Sequence, residues 1–325
     1  METTEALERA RSLAEMPSSE FDELLVDSDP TERPDLLRYR FRFDLESFAR
    51  YCWPDRFDLP FNDCHRAILA QDRGHYRVRR TQRSAIAAPR GLGKSTLASF
   101  VDVIHRLVYS LEAFVIIMSA GQDLAVELTS DIKDALEEEG SPLSQLYGPF
   151  EISGGKSDYT VSVQGRASVR ILAKSFGQTV RGPKHKGERP TLIIIDDGER
   201  SDRVRSATQR QQWWRFLTDD VLKAGRKQGG TVVNIRGTVL HPDSMLATTL
   251  NHPGWDSQRW QSIISWPDRP ELWKQCGRIW CDLTLGEFRR EAARAFYEAN
   301  RLEMDRGSKV LDAVAEPLFE LYELI

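Results

Sequence analysis

Ser84-Ala85-Ile86-Ala87-Ala88-Pro89-Arg90-Gly91-Leu92-Gly93-Lys94-Ser95-Thr96-Leu97 runs from a short apolar strand through a glycine-containing loop into an apolar helix start. That order is the order of a phosphate-binding loop. Its backbone N–H groups converge on phosphate oxygens, and the positive end of the following helix favours the anion. Gly91 and Gly93 supply the backbone freedom of a tight path. Lys94 is placed to reach the β- and γ-phosphates of ATP and Ser95 to offer its hydroxyl to Mg2+, so residues Ala88, Pro89, Arg90, Gly91, Leu92, Gly93, Lys94, Ser95 and Thr96 are the expected nucleotide cradle. The general motif begins with glycine where this chain has Ala88.

Working downstream, Thr191-Leu-Ile-Ile-Ile-Asp196-Asp197-Gly-Glu199 ends a strongly apolar strand in two carboxylates, where a parallel sheet presents its ligand edge. Asp196 is expected to hold the Mg2+ shell, and Asp197 to orient or deprotonate the attacking water. Asp is one methylene shorter than the Glu often found at the second position, so Glu199 is the alternative base. A third strand, 231–235, ends in Arg236-Gly237-Thr238 and brings a hydroxyl to the same edge, where Thr238 is a candidate γ-phosphate sensor.

Around these elements, apolar runs at 84–88, 113–119, 168–173, 192–195 and 231–235 alternate with helical stretches at 94–109, 122–138 and 207–224. Near-continuous apolar strands separated by helices predict an α/β fold with a mostly parallel central sheet flanked by helices. With the phosphate loop, that makes the expectation a P-loop NTPase of the ASCE, RecA-like kind. An edge strand is expected within 259–265 and a helix over 286–305. The acidic, Ser- and Pro-containing residues 1–40 predict a frayed helix and an extended linker. Residues 41–75 predict a small helical lid, 76–270 the ATPase core, and 271–325 a C-terminal subdomain.

The chain's 40% hydrophobic and 29% charged residues are those of an ordinary globular protein rather than of a disordered or membrane chain. A net charge of −4 means that any nucleic-acid contact has to be local. Two arginine-rich clusters qualify: Arg77, Arg79, Arg80 and Arg83, and then Arg203, Arg205, Arg210 and Arg215 with Lys223, Arg226 and Lys227. Cys52, Cys64, Cys276 and Cys281 match neither a metal pair nor a disulfide framework and read as buried thiols. The acidic N-terminus and the lack of a long apolar run predict a cytoplasmic protein with no membrane partner. Trp213 and Trp214 read as core.

The combination of Ala88-Pro89-Arg90-Gly91-Leu92-Gly93-Lys94-Ser95, Gly177-Gln-Thr-Val-Arg181-Gly182 ahead of the acidic strand, and Ile235-Arg-Gly-Thr-Val-Leu-His241-Pro-Asp-Ser resembles the large terminase subunits of tailed phages. The resemblance implies a motor that hydrolyses ATP to move double-stranded DNA into a procapsid. The working form would be a homo-oligomeric ring on the portal protein, assisted by a small terminase subunit, in the host cytoplasm. It implies that Arg181 acts as an arginine finger in a neighbour's site, with Arg90 the competing candidate, and that Gly237 and Thr238 couple hydrolysis to movement. The segment around Phe61, Asn62 and His65 resembles the family's adenine side but reads better as a packed lid helix. Such subunits usually add an RNase H-like nuclease domain; the residues after His241 are too few for that fold, and nuclease activity is not expected of this segment. Two other readings share the phosphate loop: a helicase-like motor, which needs base-stacking aromatics, and a regulatory protein that binds ATP without hydrolysing it.

Overall fold

A computed structural model describes residues 4–74, 82–227, 229–314 and 317–323. The chain divides into two compact units, Met1–Arg259 and Trp260–Ile325. The boundary lies at 259 rather than at the expected 270.

The first unit opens with five helices, α1 (Thr4–Glu15), α2 (Ser18–Asp27), α3 (Arg33–Phe41), α4 (Leu45–Cys52) and α5 (Asp63–Gly74). The linker expected before residue 40 is therefore helical instead. The acidic composition masked a small apolar cluster in which buried Leu13, Phe21 and Leu36 meet Met16, Leu24 and Leu25. Asp44 caps α4 by accepting the Ser47 N–H at 3.0 Å.

Next come β1 (Gln82–Ala87), a π-helical turn (Thr96–Val101) continuing as α6 (Asp102–Val108), β2 (Phe114–Ser119), α7 (Gln122–Glu137) and α8 (Pro142–Tyr147). Then follow β3 (Phe150–Gly155), β4 (Asp158–Val163), β5 (Val169–Ser175) and β6 (Leu192–Asp196). After α9 (Ala207–Arg215) a second π-helical turn (Phe216–Val221) leads into α10 (Leu222–Ala224), β7 (Val232–Gly237), α11 (Met245–Leu250) and β8 (Asp256–Arg259).

The eight strands form one sheet in the order β3-β4-β5-β2-β6-β7-β1-β8. From β5 to β8 all neighbours are parallel, which fits the buried apolar runs, whereas β3 and β4 are antiparallel. The five expected apolar strands are all present. The β3–β4 pair was not expected, and the edge strand of this sheet is β8, which pairs with β1, whereas the run expected within 259–265 forms a strand at 263–265 that belongs to a separate two-stranded sheet. Trp213 is buried with Leu217, Met245 and Leu246 beneath β1, β6 and β7, as the core reading of the tryptophan pair expects.

The sheet interior is not wholly apolar. Ser84 Oγ donates to Asn234 Oδ1 at 2.8 Å, and Arg236 donates to Ser84 Oγ at 2.9 Å, all three side chains being fully buried between β1 and β7. A second buried polar group sits in α6, where Arg106 donates to Asp102 and to Glu112, each at 2.7 Å.

The second unit contains a two-stranded antiparallel sheet of β9 (Ile263–Ser265) and β10 (Lys309–Val310), with α12 (Pro270–Trp280), a 3-10 segment (Leu283–Phe288), α13 (Arg289–Met304) and α14 (Leu318–Glu323). Trp273, Cys276, Ala293, Tyr297 and Met304 form its core. The helix expected over 286–305 is α13. Cys52, Cys64 and Cys276 are buried free thiols, and Cys281 is exposed, contrary to expectation.

Candidate functional site

Three strand ends lie level. The pairing registers place Ile86 of β1, Arg236 of β7 and Asp196 of β6 side by side, so the residues after each strand emerge along one carboxyl edge. The loop after β1 carries 88–95, the turn after β6 carries Asp197 to Glu199, and Thr238 follows β7 between them.

The loop has the backbone the sequence demands: Gly91 and Gly93 take φ of 82° and 61°, a region that favours glycine. Ala88 does not need that freedom. Its N–H donates to Gly237 O at 3.1 Å, extending the β1–β7 pairing by one residue, and its side chain is buried. Lys94 is buried as well, with Nζ donating to Pro89 O at 2.6 Å, so the ammonium folds back over its own loop. Burial lowers the Lys94 pKa, and the charges of Asp197 and Asp196 oppose that effect. Arg90 is exposed and makes no ion pair among the described residues. His65 of α5 contacts the loop: its Nδ1 accepts the Asn62 N–H at 3.2 Å, which leaves Nε2 to donate to Leu92 O at 2.9 Å. The packed-helix reading of Phe61, Asn62 and His65 thus missed a contact with the loop, for which the sequence offered no signal.

Asp196 is the deepest carboxylate of the edge. Burial pushes its pKa up to about 6; the hydroxyl of Ser95 pulls it down, neighbouring Asp197 raises it, and the Lys94 ammonium works against the rise. Asp196 Oδ1 and Ser99 Oγ are buried without a hydrogen-bond partner. An orphaned carboxylate oxygen beside a serine hydroxyl is a donor set that suits a small hard cation such as Mg2+. Thr96 follows Ser95 as the first residue of the π-helical turn.

Asp197 takes φ of +41° and is exposed. Its Oδ1 accepts the Thr238 N–H at 3.1 Å, leaving Oδ2 without a partner among the described residues. The Thr238 hydroxyl donates to Ala88 O at 3.2 Å. Glu199, by contrast, is buried and doubly engaged: Oε1 accepts the Met245 N–H at 2.8 Å and Oε2 the Leu246 N–H at 3.0 Å. Burial raises its pKa, and those two amides and Ser244 lower it. Both Glu199 oxygens are thus engaged by the N-terminus of α11, whereas Asp197 keeps one oxygen without a partner among the described residues. A cavity of about 500 Å³ borders the acidic turn, lined by Arg90, Asp123, Asp197, Glu199, Asp202 and Leu240 among others, but not by Lys94, Ser95, Asp196 or Thr238.

Arg181 does not line that cavity. It pairs with Asp220 at 3.1 Å and donates to the Asp219 carbonyl, and its side chain is half-exposed. Of the arginine clusters, Arg77, Arg79 and Arg80 lie outside the described residues. Arg203, Arg205 and Arg215 are exposed with no ion pair among the described residues, whereas Lys223 is paired with Asp219, Arg226 with Glu188 and Arg210 with Asp243. Among the described residues no helix is long and apolar enough to cross a membrane.

No family model matches the sequence, and no curated protein does. Among solved structures, the chain is similar to the HK97 bacteriophage large terminase at 16% identity and a TM-score of 0.48, over 79% of this chain and 51% of that one. It is similar to the ATPase domain of the Thermus phage P74-26 large terminase at 13% identity and a TM-score of 0.44, over 79% of this chain and 97% of that one. A third similarity, at 11% identity and a TM-score of 0.42, is to the large terminase of a thermophilic bacteriophage in complex with ADP, over 62% of this chain and 45% of that one. The chain spans about half the length of the HK97 protein.

Proposed function

We propose that the first unit is an ATP-hydrolysing motor of the large-terminase type, acting on double-stranded DNA. The observation that carries the reading is the level arrangement of three strand ends, which sets Lys94, Ser95, Asp196, Asp197 and Thr238 along one edge of a parallel sheet. In this reading the amides of 88–95 and the Lys94 ammonium hold the triphosphate, and charge growing on the γ-phosphate meets a cation already desolvated by burial. Ser95 and Asp196 would hold Mg2+, which supplies charge neutralisation on the phosphate oxygens when bound. Asp197, fixed through Oδ1 by the Thr238 amide, offers Oδ2 to the water that attacks phosphorus. The bond to the β–γ bridging oxygen breaks, and ADP and phosphate leave.

The same reading makes Arg181 a finger for a neighbouring copy in a ring, released from Asp220 on assembly, and makes the portal protein and a small terminase subunit its partners. Exposed Arg203, Arg205 and Arg215 are the candidates for DNA phosphates. The test is steady-state ATP turnover of the chain alone, with duplex DNA and with single-stranded DNA. Duplex-stimulated turnover that disappears in Lys94→Ala supports the motor. Preference for single strands favours a helicase-like motor, and binding without turnover favours a regulatory protein.

A further inference from the structure

Glu199 is a buried carboxylate that the proposed chemistry leaves unused. Its two oxygens accept the first two amides of α11, groups that have no partner inside the helix. Ser244 Oγ takes the next amide, that of Ala247, at 3.1 Å. The turn that aims Glu199 is tightly set: Asp197 has a positive φ, and a Cβ on Gly198 would meet Ile195 Cγ2 at 2.6 Å. At the other end of the same contact chain, Gly237 is squeezed between two side chains. A Cβ there would lie 3.1 Å from Asp197 Oδ1 and 3.3 Å from Leu246 Cδ2. Leu246, whose amide Glu199 holds, therefore closes off the space beside Gly237, the residue that precedes Thr238, and Thr238 in turn holds Asp197.

We infer that Glu199 is a positioning residue: it pins α11 to the acidic end of β6, and through Leu246 and Gly237 it keeps the Thr238 amide on the Asp197 carboxylate. The inference rests on the ATPase reading above and gives a role to a residue that the reading leaves idle. A helix brace of purely structural value would contribute to folding alone. A brace that aims Asp197 contributes to turnover while leaving nucleotide affinity to the loop 88–95.

Glu199→Gln keeps the shape and turns one acceptor into an amino group facing an amide N–H. In that variant, kcat falls about tenfold while the affinity and stoichiometry of a non-hydrolysable ATP analogue stay within about threefold of the parent. Hydrogen exchange speeds up in peptides spanning 238 and 245–246 and is unchanged in α7. Met245→Pro is the second variant. Proline is accepted at the first helical position after extended Ser244, it removes one of the two donors, and it leaves the acid intact. It lowers kcat in the same sense. Parental kcat in Glu199→Gln despite faster exchange at 245–246 overturns the inference. So does a kcat loss matched by an equal loss of analogue-binding sites, which marks a folding role. Absence of turnover in the parent chain defeats the ATPase reading itself and this inference with it, and is recognised by the parent's own inactivity.

Discussion

The backbone amide of Thr238 lies 3.1 Å from Asp197 Oδ1 and so holds the exposed carboxylate of one strand end from the tip of the next. The same residue's hydroxyl reaches Ala88 O, so one threonine ties the acidic turn to the start of the phosphate loop. In the proposed motor, any displacement of the β7 tip is felt by both halves of the catalytic edge.

Thr238→Val keeps the amide and removes the hydroxyl bond to Ala88. The expected result is a several-fold drop in kcat with little loss of stability, since one neutral hydrogen bond contributes about 1 kcal/mol. Asp197→Ala is expected to bind nucleotide and retain it, with turnover reduced by about 10² or more, the size of a general-base contribution. Single-turnover assays with labelled ATP distinguish the two, and release of product from Asp197→Ala at the parental rate would remove Asp197 from the mechanism.

Lys94→Ala is expected to abolish turnover with the circular dichroism spectrum unchanged. The lysine's one hydrogen bond among the described residues, to Pro89 O, is local to the loop. A variant that still hydrolyses ATP at the parental rate is incompatible with the phosphate-loop assignment.

The raised pKa of Asp196, about 6, fixes the sign of a pH effect in the metal-free protein. The folded chain keeps a proton that the unfolded chain releases near pH 4. Stability from this group is therefore fully present below about pH 4 and is lost as pH rises through about 6, amounting to about 3 kcal/mol for two pKa units. Urea titrations in EDTA at pH 5 and pH 7.5 measure it. The difference between parent and Asp196→Asn should grow with pH in the variant's favour; a pH-independent difference refutes the buried-carboxylate account.

Arg106 joins Asp102 and Glu112 inside the first unit. Arg106→Ala leaves two buried carboxylates without their cation, and a loss of about 3–5 kcal/mol is expected. Thermal or urea unfolding reads it directly, and a loss below about 1 kcal/mol contradicts the buried-pair description.

Arg181→Ala is expected to leave nucleotide affinity intact and to remove only the turnover that appears on assembly. The ion pair with Asp220 is half-exposed and worth at most about 1 kcal/mol, so the isolated chain hardly registers its loss. Equal assembly-stimulated rates for variant and parent would exclude a trans role.

What could be read from the sequence was what depends on short-range pattern. Apolar runs such as 192–195 announce strands buried on both faces, and Gly91-Leu-Gly-Lys-Ser95 announces its own backbone. The β3–β4 pair escaped because its code is alternation, with Tyr159, Val161 and Val163 buried and their neighbours not, rather than a continuous run. Before residue 41 one frayed helix was expected where three are present, because acidic surface positions outnumber the few apolar ones that make them pack. The role of Glu199 was not legible, since its partners lie 46 and 47 residues away and are backbone amides with no side-chain signature.

The buried triplet of Ser84, Asn234 and Arg236 bears on how the domain is able to deform. Sliding β1 against β7 by one residue would strand all three polar groups in the dry middle of the sheet, each at a cost of about 1–3 kcal/mol. These two strands are thereby keyed together like a splined shaft. In the proposed motor, mechanical freedom then has to come from loops and helices, with the keyed pair serving as the frame against which they would swing.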